Sequence, residues 1–140
     1  MREEWILVAS REEARIFQKK GLAPLQLLID LGNPSAMLRP HEIESDKHGR
    51  STDNRMRARH TYSTQESPTE RAIRTFYREV VDRLERGAYT HEYDELTLIA
   101  EPRLLGIIRE LLPDSVRTKV TREIAKDLSY EDALEIQSRL

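Results

Sequence analysis

The segment from Gly32 to Ser67 has almost no hydrophobic periodicity, and it separates two halves of the chain that have different patterns. Before it, three short apolar runs are divided by turn-forming residues, which predicts three consecutive β-strands. After it, helix-like and strand-like runs alternate, which predicts crossover connections between parallel strands. This order favours a mixed sheet with helices packed on its faces.

The first half predicts a meander of three strands. The run EWILVAS, which ends at Ser10, contains Trp, Ile and Val and is too short for a stable helix. In EARIFQKK, the run that precedes Gly21, successive side chains fall into two sets that would lie on opposite faces of a strand. This pattern favours a second strand paired with the first in a hairpin. The run PLQLLIDL, which Gly32 closes, predicts the third strand. Because Trp5 opens the first strand, we expect its indole to lie in the core.

A long helix is predicted to begin directly after the aperiodic segment. Ser67 is an N-cap candidate, Pro68 occupies the first helical position, and Glu70 lies where a capping box places its acidic residue. Apolar residues then recur every three or four positions from Ala72 to Leu84, which predicts one apolar stripe facing the core. Gly87 is predicted to end the helix.

The rest of the chain predicts two further strands and two further helices. ELTLIAE is a continuous apolar run typical of a central parallel strand. PRLLGIIRELLP predicts a helix that begins at Pro102 and ends before Pro113. In VRTKVTREIAKDL, alternation from Val116 onwards predicts a strand in the first half of the run. Ser129 is predicted to cap the last helix, with Asp132 as its partner three residues later.

Together these elements predict an α/β fold: a single domain, residues 1–140, with a mixed five-stranded sheet, helices on its faces and a long basic loop at about 33–66. The five-stranded ribonuclease-H-like arrangement is the simplest match to this order of elements. A chain of 140 residues removes roughly two-thirds of its unfolded surface from water, which is enough for a hydrophobic core.

A basic strip lies inside the aperiodic segment. Between Lys47 and His60, five Lys or Arg residues stand against Asp53 alone, a local charge of +4 in a chain whose formal net charge is −2. The remainder therefore carries −6. A strip of one sign on a body of the opposite sign is typical of a surface that contacts a polyanion. The alternative is a solvated loop whose cations pair with the acidic residues just before them, which are Glu42, Glu44 and Asp46.

The composition disfavours several classes of site. Without Cys the chain has no disulfide framework and no thiolate metal site, and no two of its four His have the i, i+4 spacing of a helical metal site. We therefore expect no metal and no cofactor. The apolar run Trp5–Ala9 is shorter than the roughly 7–15 residues of a signal peptide, and no run approaches the roughly 20 of a membrane span. We expect a cytoplasmic protein without a membrane partner.

Blocks of sequence in a fixed order resemble a bacterial family. WILVAS, ARIF, SDKHGRS, FYREVVDRLERG, YDELTLIAEPRLLGIIRELL and VTREIAKDLS are similar to blocks of the family named for a protein required for attachment to host cells. The resemblance covers the chain from Trp5 to Leu140. That family is in turn similar to the middle domain of archaeal and eukaryotic peptide-chain release factors. The resemblance implies the same fold as the periodicity predicts.

The resemblance to release factors concentrates on the basic strip. Residues 47–50 reproduce the KHGR that begins the KHGRGGQ segment of those factors, and NRMRARH supplies the Arg-rich run that follows. Ser51, Thr52 and Asp53 stand where release factors have the Gly-Gly-Gln tied to hydrolysis of peptidyl-tRNA. Ser and Thr lack the backbone freedom of glycine, and an Asp repels phosphates. The resemblance therefore implies RNA contact more than it implies hydrolysis.

The resemblance assigns RNA contact to a defined set of residues. Each Arg can form two parallel charge-assisted hydrogen bonds with a phosphate. His48 and His60 are candidates for proton transfer, and Asp53 or Asp46 is the candidate carboxylate that would orient His60. Gly49 favours a tight turn or, with its neighbours, an anion nest, and Tyr62 borders the strip as a candidate for stacking on a base. The predicted RNA-contact residues are Lys47, His48, Gly49, Arg50, Arg55, Arg57, Arg59, His60 and Tyr62.

Three functions are compatible with these features. The leading hypothesis is an RNA- or ribosome-associated protein that contacts ribosomal or transfer RNA through the basic loop. The second is a factor indirectly required for attachment to host cells, and the third is a peptidyl-tRNA hydrolase or ribosome-rescue enzyme with an altered loop. A two-metal nuclease is disfavoured, because WILVAS has no carboxylate and Asp30, Asp94 and Glu95 lie at strand ends. The sequence therefore favours binding over enzyme activity.

Overall fold

The computed structural model describes residues 2–37 and 67–140. Pro34–Met37 form a short 3-10 helix at the start of the segment expected to be a loop, and residues 38–66 of that segment lie outside the described residues. The other elements are β1 (Glu3–Ala9), β2 (Glu13–Lys20), β3 (Gln26–Gly32), α1 (Pro68–Tyr89), β4 (Glu95–Ile99), α2 (Pro102–Leu111), α3 (Asp114–Arg117), β5 (Val120–Ile124) and α4 (Ala133–Arg139).

The strands form a five-stranded mixed sheet in the order β3-β2-β1-β4-β5. β2 is antiparallel to both of its neighbours, whereas β1, β4 and β5 are parallel to one another. The predicted α/β fold with a mixed five-stranded sheet is therefore confirmed, including the hairpin of β1 and β2 and the two crossovers. Because β2 alone runs the other way, the carboxyl ends of β1, β3, β4 and β5 meet at one edge of the sheet.

β1 is apolar along most of its length because both of its faces are covered. Trp5, Leu7 and Ala9 belong to a core cluster with α1 and α2, while Ile6 and Val8 belong to a second cluster with α4. This division follows from the alternation of side chains along a strand. Trp5 is buried, as its position at the start of the strand predicts.

α1 begins where its sequence predicts and buries the predicted stripe. The buried residues of this helix include Ile73, Phe76, Tyr77, Val80, Val81 and Leu84. The predicted end at Gly87 is wrong, since the helix continues to Tyr89. Gly87 is buried against the ring of Trp5, so its lack of a side chain serves helix-to-sheet packing and not termination of the helix.

The segment after Pro113 also differs from its prediction. Its first half is not a strand: Asp114–Arg117 form a single helical turn, and β5 begins only at Val120. The amides of Val116 and Arg117 donate to the carbonyl of Pro113 at 3.0 and 2.9 Å, which closes the turn and buries Val116 in the main core. The alternation that begins at Val116 therefore does not mark a strand there, because Val116 is buried from a helical turn.

The last helix has a different cap from the predicted one. Asp132 is the N-cap of α4 and forms a reciprocal capping box with Glu135. The hydroxyl and amide of Ser129 instead donate to the carboxylate of Asp127 in the preceding turn. Arg15 of β2 connects the sheet to this turn, because its guanidinium donates to the Ser129 carbonyl at 3.0 Å. Arg15 thus fixes the position of α4 on the second face of the sheet.

Within the part of the chain that the structure describes, no helix is both long enough and apolar enough to cross a membrane. The longest helix, α1, carries charged residues on its exposed side along its whole length.

Candidate nucleic-acid interface

The carboxyl edge of the sheet is where the chain leaves for residues 38–66 and where it returns. Ser10, Asn33 and Glu101 follow β1, β3 and β4 at this edge. The 3-10 helix after Asn33 packs against α1, the helix that follows residues 38–66 in the sequence. In open α/β sheets, ligands bind outside the carboxyl ends of the strands. The residues that shape this edge therefore define the base of the candidate interface.

The turn between β1 and β2 is closed by Ser10. Its hydroxyl accepts from the amides of Glu12 and Glu13 at 3.3 and 3.1 Å, and its own amide donates to the Glu13 carbonyl at 2.9 Å. A hydroxyl that satisfies two backbone donors in a turn replaces the contacts that water would otherwise make. The turn is therefore a defined structure on which neighbouring elements can dock.

Asn33 joins the end of β3 to this turn. It is 2% exposed, its amide donates to the Glu12 carbonyl at 2.8 Å, and its side-chain Nδ2 donates to the Arg11 carbonyl at 3.0 Å. Its Oδ1 accepts from the Ser35 amide at 3.2 Å and so opens the 3-10 helix. The last strand before residues 38–66 is thus locked to the β1–β2 turn by one buried side chain.

Tyr77 ties α1 to the same turn. Its buried hydroxyl donates to the Ser10 carbonyl at 2.6 Å and also lies 3.2 Å from the Glu13 carbonyl. Burial raises the pKa of this phenol well above its ordinary value, so the hydroxyl remains a donor at every physiological pH. Ser10, Asn33 and Tyr77 together form what we name the anchor cluster.

The amino-terminal ends of α1 and α2 lie at the same edge. The Ser67 hydroxyl accepts from the Glu70 amide at 3.1 Å, which is half of the predicted capping box. The Glu70 carboxylate does not complete the box but forms an ion pair with Arg103 of α2. Glu101 caps α2 by accepting from the amide of Leu104 at 2.8 Å. Side chains therefore accept from free backbone amides at the start of both helices, and the ion pair joins the two helix ends to each other.

The predicted contact residues lie outside the described residues. That holds for the nine residues assigned to RNA contact, for Asp53, and for Ser51 and Thr52, which replace the Gly-Gly of release factors. The nine are Lys47, His48, Gly49, Arg50, Arg55, Arg57, Arg59, His60 and Tyr62. Their assignment to RNA contact stays a prediction. What the structure adds is the pair of attachment points on either side of them.

The carboxylates considered for a nuclease are separated in the fold. Asp30 lies on β3 beside Glu13, whereas Asp94 precedes β4 at the other edge and accepts from the Glu3 amide at 3.0 Å. Glu95 forms an ion pair with Arg2 at 2.8 Å. Within residues 2–37 and 67–140, no three His, Cys, Asp or Glu side chains are grouped closely enough to hold a metal ion.

Sequence reasoning missed the anchor cluster. In the sequence, Asn33 is simply the polar residue after the third strand, and Tyr77 falls within the apolar stripe of α1. Tyr77 did carry a signal for such a contact, because the hydroxyl of a tyrosine in a buried stripe usually requires a hydrogen-bond partner. Tyr93 is buried on Trp5 with ring centroids 4.6 Å apart and is therefore unavailable for stacking on a base.

Two solved structures share this fold. An archaeal translation termination factor superposes with a TM-score of 0.53 at 14% identity, over 96% of this chain and 36% of that one. A structure described as an archaeal protein superposes with a TM-score of 0.51 at 13% identity, over 96% of this chain and 35% of that one. The chain therefore spans about a third of the length of these structures, and the likeness is one of fold.

Sequence comparisons give a curated relative and a family. An uncharacterized protein of Rickettsia prowazekii (strain Madrid E) is 43% identical over 53 residues, a segment that covers 36% of this chain and 35% of that protein. The family model described as "Protein required for attachment to host cells" matches residues 5–140. This match covers all the strands and helices described above except the first two residues of β1.

Proposed function

The chain belongs to the family of proteins required for attachment to host cells, and from that premise and its release-factor-like fold we propose that it binds RNA. The proposed partner is ribosomal or transfer RNA, contacted by the basic segment that departs from the carboxyl edge of the sheet. The observation that carries the proposal is the anchor cluster: buried Asn33 and Tyr77 tie the end of β3 and α1, the elements before and after the arginine-rich residues in the sequence, to the β1–β2 turn.

The charge distribution supports RNA as the partner. The strip from Lys47 to His60 carries +4, while the remainder of the chain carries −6. An acidic body repels a polyanion, so encounter with RNA is favoured only through the strip. Each arginine–phosphate contact releases counterions, which makes such binding strongly dependent on salt.

The rigid base supports a contact role for the segment in a second way. A segment that is ordered on binding loses conformational freedom, and this loss weakens the complex. Fixing both ends beforehand reduces the freedom that remains to be lost. The bonds of Asn33 fix the chain before residues 38–66, and the Ser67 cap of α1 fixes it after them.

The proposal is one of binding, and hydrolysis is a separate question. Ser51, Thr52 and Asp53 replace the Gly-Gly-Gln of release factors. A peptide-release assay on stalled ribosomes tests for hydrolysis. Turnover by the wild-type protein that is lost in His48→Ala or Asp53→Asn would add chemistry to the binding function.

Ribosome co-sedimentation across a range of salt concentrations tests the proposal. The variant Arg50→Ala/Arg55→Ala/Arg57→Ala should lose association, and the slope of log K against log salt should fall by about 2–3. A matched control removes the same number of positive charges at exposed positions of the described surface. These positions are Arg78, Arg122 and Lys126.

The two variants separate a local contact from a net-charge effect. If the control loses association as much as the strip variant does, only net charge matters and the strip is not the contact surface. If the wild-type protein fails to associate with ribosomes or RNA even at low salt, the proposal is wrong.

The family description favours a second candidate, a role in attachment to host cells. We propose that this role is indirect and follows from RNA contact inside the cell. Surface labelling of intact bacteria tests the alternative, because labelling of the native protein on the cell exterior would make a direct role the better account.

A further inference from the structure

A cleft lies at the opposite edge of the sheet from the anchor cluster. It is formed between the last turn of α1 and the turn that leads from α3 into β5, and its volume is ≈ 770 Å³. Sites for small organic ligands typically have volumes of about 300–1,000 Å³. α1 has 22 residues, so its two ends are about 33 Å apart. The cleft is therefore a different site from the interface proposed above.

Backbone hydrogen bonds hold both walls of the cleft. At the end of α1, the amide of His91 donates to the carbonyl of Ala88 at 3.2 Å, as in a Schellman motif. On the other wall, the amide of Lys119 donates to the carbonyl of Val116 at 2.9 Å, and the carbonyl of Lys119 accepts from Leu96 at 2.8 Å. The backbone at both walls of the cleft is thus held in place.

The side chains of the cleft combine an exposed aromatic ring with cations. Tyr89 is 86% exposed although it lies in the last turn of an amphipathic helix. Arg86, His91 and Lys119 also line the cleft, and among its described lining residues Glu85 is the one acid. An aromatic face beside cations is the arrangement that binds a base by stacking and a phosphate by charge.

The electrostatics of the helix end account for only part of this arrangement. A cation near the carboxyl end of a helix is stabilised by the partial negative charge there, which explains Arg86. Lys119 belongs instead to the turn before β5, and the ring of Tyr89 adds almost no buried surface to the core. Because the helix end would repel an anion, a phosphate is expected on the opposite wall, where Ser115 supplies a hydroxyl beside Lys119.

We propose that this cleft binds a nucleotide, with the base stacked on Tyr89 and the phosphate held by Lys119. This goes beyond the proposed function, because it requires neither the basic segment nor the ribosome. The same chemistry is offered by a free nucleotide and by one nucleotide of an RNA strand. The experiment distinguishes the two sources.

Calorimetric titration with adenosine monophosphate and with a ten-nucleotide single-stranded RNA tests the proposal. The protein used is the full chain carrying Arg50→Ala/Arg55→Ala/Arg57→Ala, so that the basic strip keeps a net charge of only +1 and contributes little to the binding. Tyr89→Ala should weaken binding by about tenfold through loss of stacking. Lys119→Gln should weaken it by a similar factor, about tenfold, through loss of a charge-assisted bond. Tyr89→Trp, which retains an aromatic face, should restore it.

Matched controls come from the same surface. Tyr130 is 89% exposed and does not line the cleft, so Tyr130→Ala removes an equivalent ring elsewhere. Lys126→Gln removes an exposed charge elsewhere in the same way. Thermal unfolding of each variant shows whether the fold is intact, and both controls should bind like the parent.

Each outcome is decisive. Binding of the mononucleotide that depends on Tyr89 and Lys119 identifies a free-nucleotide site, and binding of the oligonucleotide alone identifies an RNA subsite. The inference is overturned if neither probe binds, or if the Tyr89→Ala and Lys119→Gln variants bind as tightly as the controls. Since most of the positive charge of the strip is already removed in this variant, failure here leaves the proposed RNA contact of the strip untouched.

Discussion

Gly87 of α1 lies directly against the indole of Trp5 in β1. A Cβ on Gly87 would be 2.9 Å from Cη2 of Trp5 and 3.0 Å from Cε1 of Tyr93. Both rings are almost completely buried and stack on each other. The glycine therefore lets the end of α1 approach the sheet, and neither ring is free to move aside.

Gly87→Ala should destabilise the protein although alanine is the better helix former. Overpacking a well-packed core costs about 1–3 kcal/mol, and the helix propensity of alanine returns at most about 1 kcal/mol. We expect a net loss of about 1–2 kcal/mol in the free energy of unfolding, measured by urea denaturation.

Gly106 provides the control in α2. Apart from its two chain neighbours and the nearby backbone of its own helix, no described atom lies within 4 Å of the position that a Cβ on Gly106 would occupy. Gly106→Ala should therefore stabilise the protein by about 0.5–1 kcal/mol. Stabilisation by both alanines would mean that α1 can shift away from Trp5 at little cost.

Tyr77→Phe should weaken the anchor cluster. The change leaves the Ser10 carbonyl without its 2.6 Å donor in a buried site. Loss of a buried hydrogen bond costs about 1–2 kcal/mol in the free energy of unfolding. Tyr130→Phe, at an exposed position, should have no measurable effect. In ribosome co-sedimentation, Tyr77→Phe should also lower association at unchanged net charge, and full association would argue against the anchor as a determinant of binding.

His91→Gly should stabilise the protein. His91 has a φ of 59°, a conformation that glycine adopts without steric cost, and the Glu92 amide closes the turn by donating to the Gly87 carbonyl at 2.8 Å. We expect a gain of about 1 kcal/mol in thermal or urea unfolding. Thr90 has a φ of −92°, and its hydroxyl donates to the Arg86 carbonyl, so Thr90→Gly should have the opposite effect. A loss on His91→Gly would indicate that the imidazole makes a favourable contact.

Glu13→Gln should raise stability at neutral pH and leave it unchanged in acid. Burial raises the pKa of Glu13, and the hydrogen bond to Asp30 and the charge of Asp30 raise it further. A raised folded-state pKa stabilises the fold below the unfolded value, here 4.5, and this stabilisation is lost as pH rises through the folded value. Above that value the ionised Glu13 faces Asp30, and glutamine removes the repulsion.

The expected gain from Glu13→Gln is small. The Glu13 side chain is 36% exposed, so solvent screening limits the effect at pH 7 to about 0.5 kcal/mol. Thermal unfolding at pH 7 and at pH 4 measures it, with Glu12→Gln as the control for loss of a neighbouring charge. A loss of stability at pH 7 would show that the attraction between Glu13 and Arg15 outweighs the repulsion by Asp30.

The sheet and the start of α1 were predictable because their signals are local. Alternation and continuous apolar runs are properties of a few neighbouring residues, and so is the Ser67–Pro68–Glu70 pattern. The role of Gly87 was not predictable, because it depends on Trp5, which is distant in sequence. The helical turn at Asp114–Arg117 was mistaken for a strand because one buried valine is compatible with the spacing of apolar residues both in a strand and in a helix.

The anchor cluster could not be predicted from the sequence for the same reason. The bond from Tyr77 to Ser10 joins residues 67 positions apart, and that from Asn33 to Arg11 joins residues 22 apart. No local pattern specifies such pairs, since they follow from the order of strands in the sheet. The cleft at Tyr89 was missed because its two walls come from elements separated by β4 and α2.

The attachment of residues 38–66 has a consequence for the scaffold. Asn33 binds the chain before them to the β1–β2 turn and Ser67 caps the helix after them, so neither contact depends on the residues between. The entropic cost of closing a connection between two fixed points grows slowly with its length, about 0.6 kcal/mol for each doubling. A change in the length or composition of the sequence between these points should therefore alter the free energy of unfolding little, and the sheet with its helices serves as a platform that tolerates replacement of what it displays.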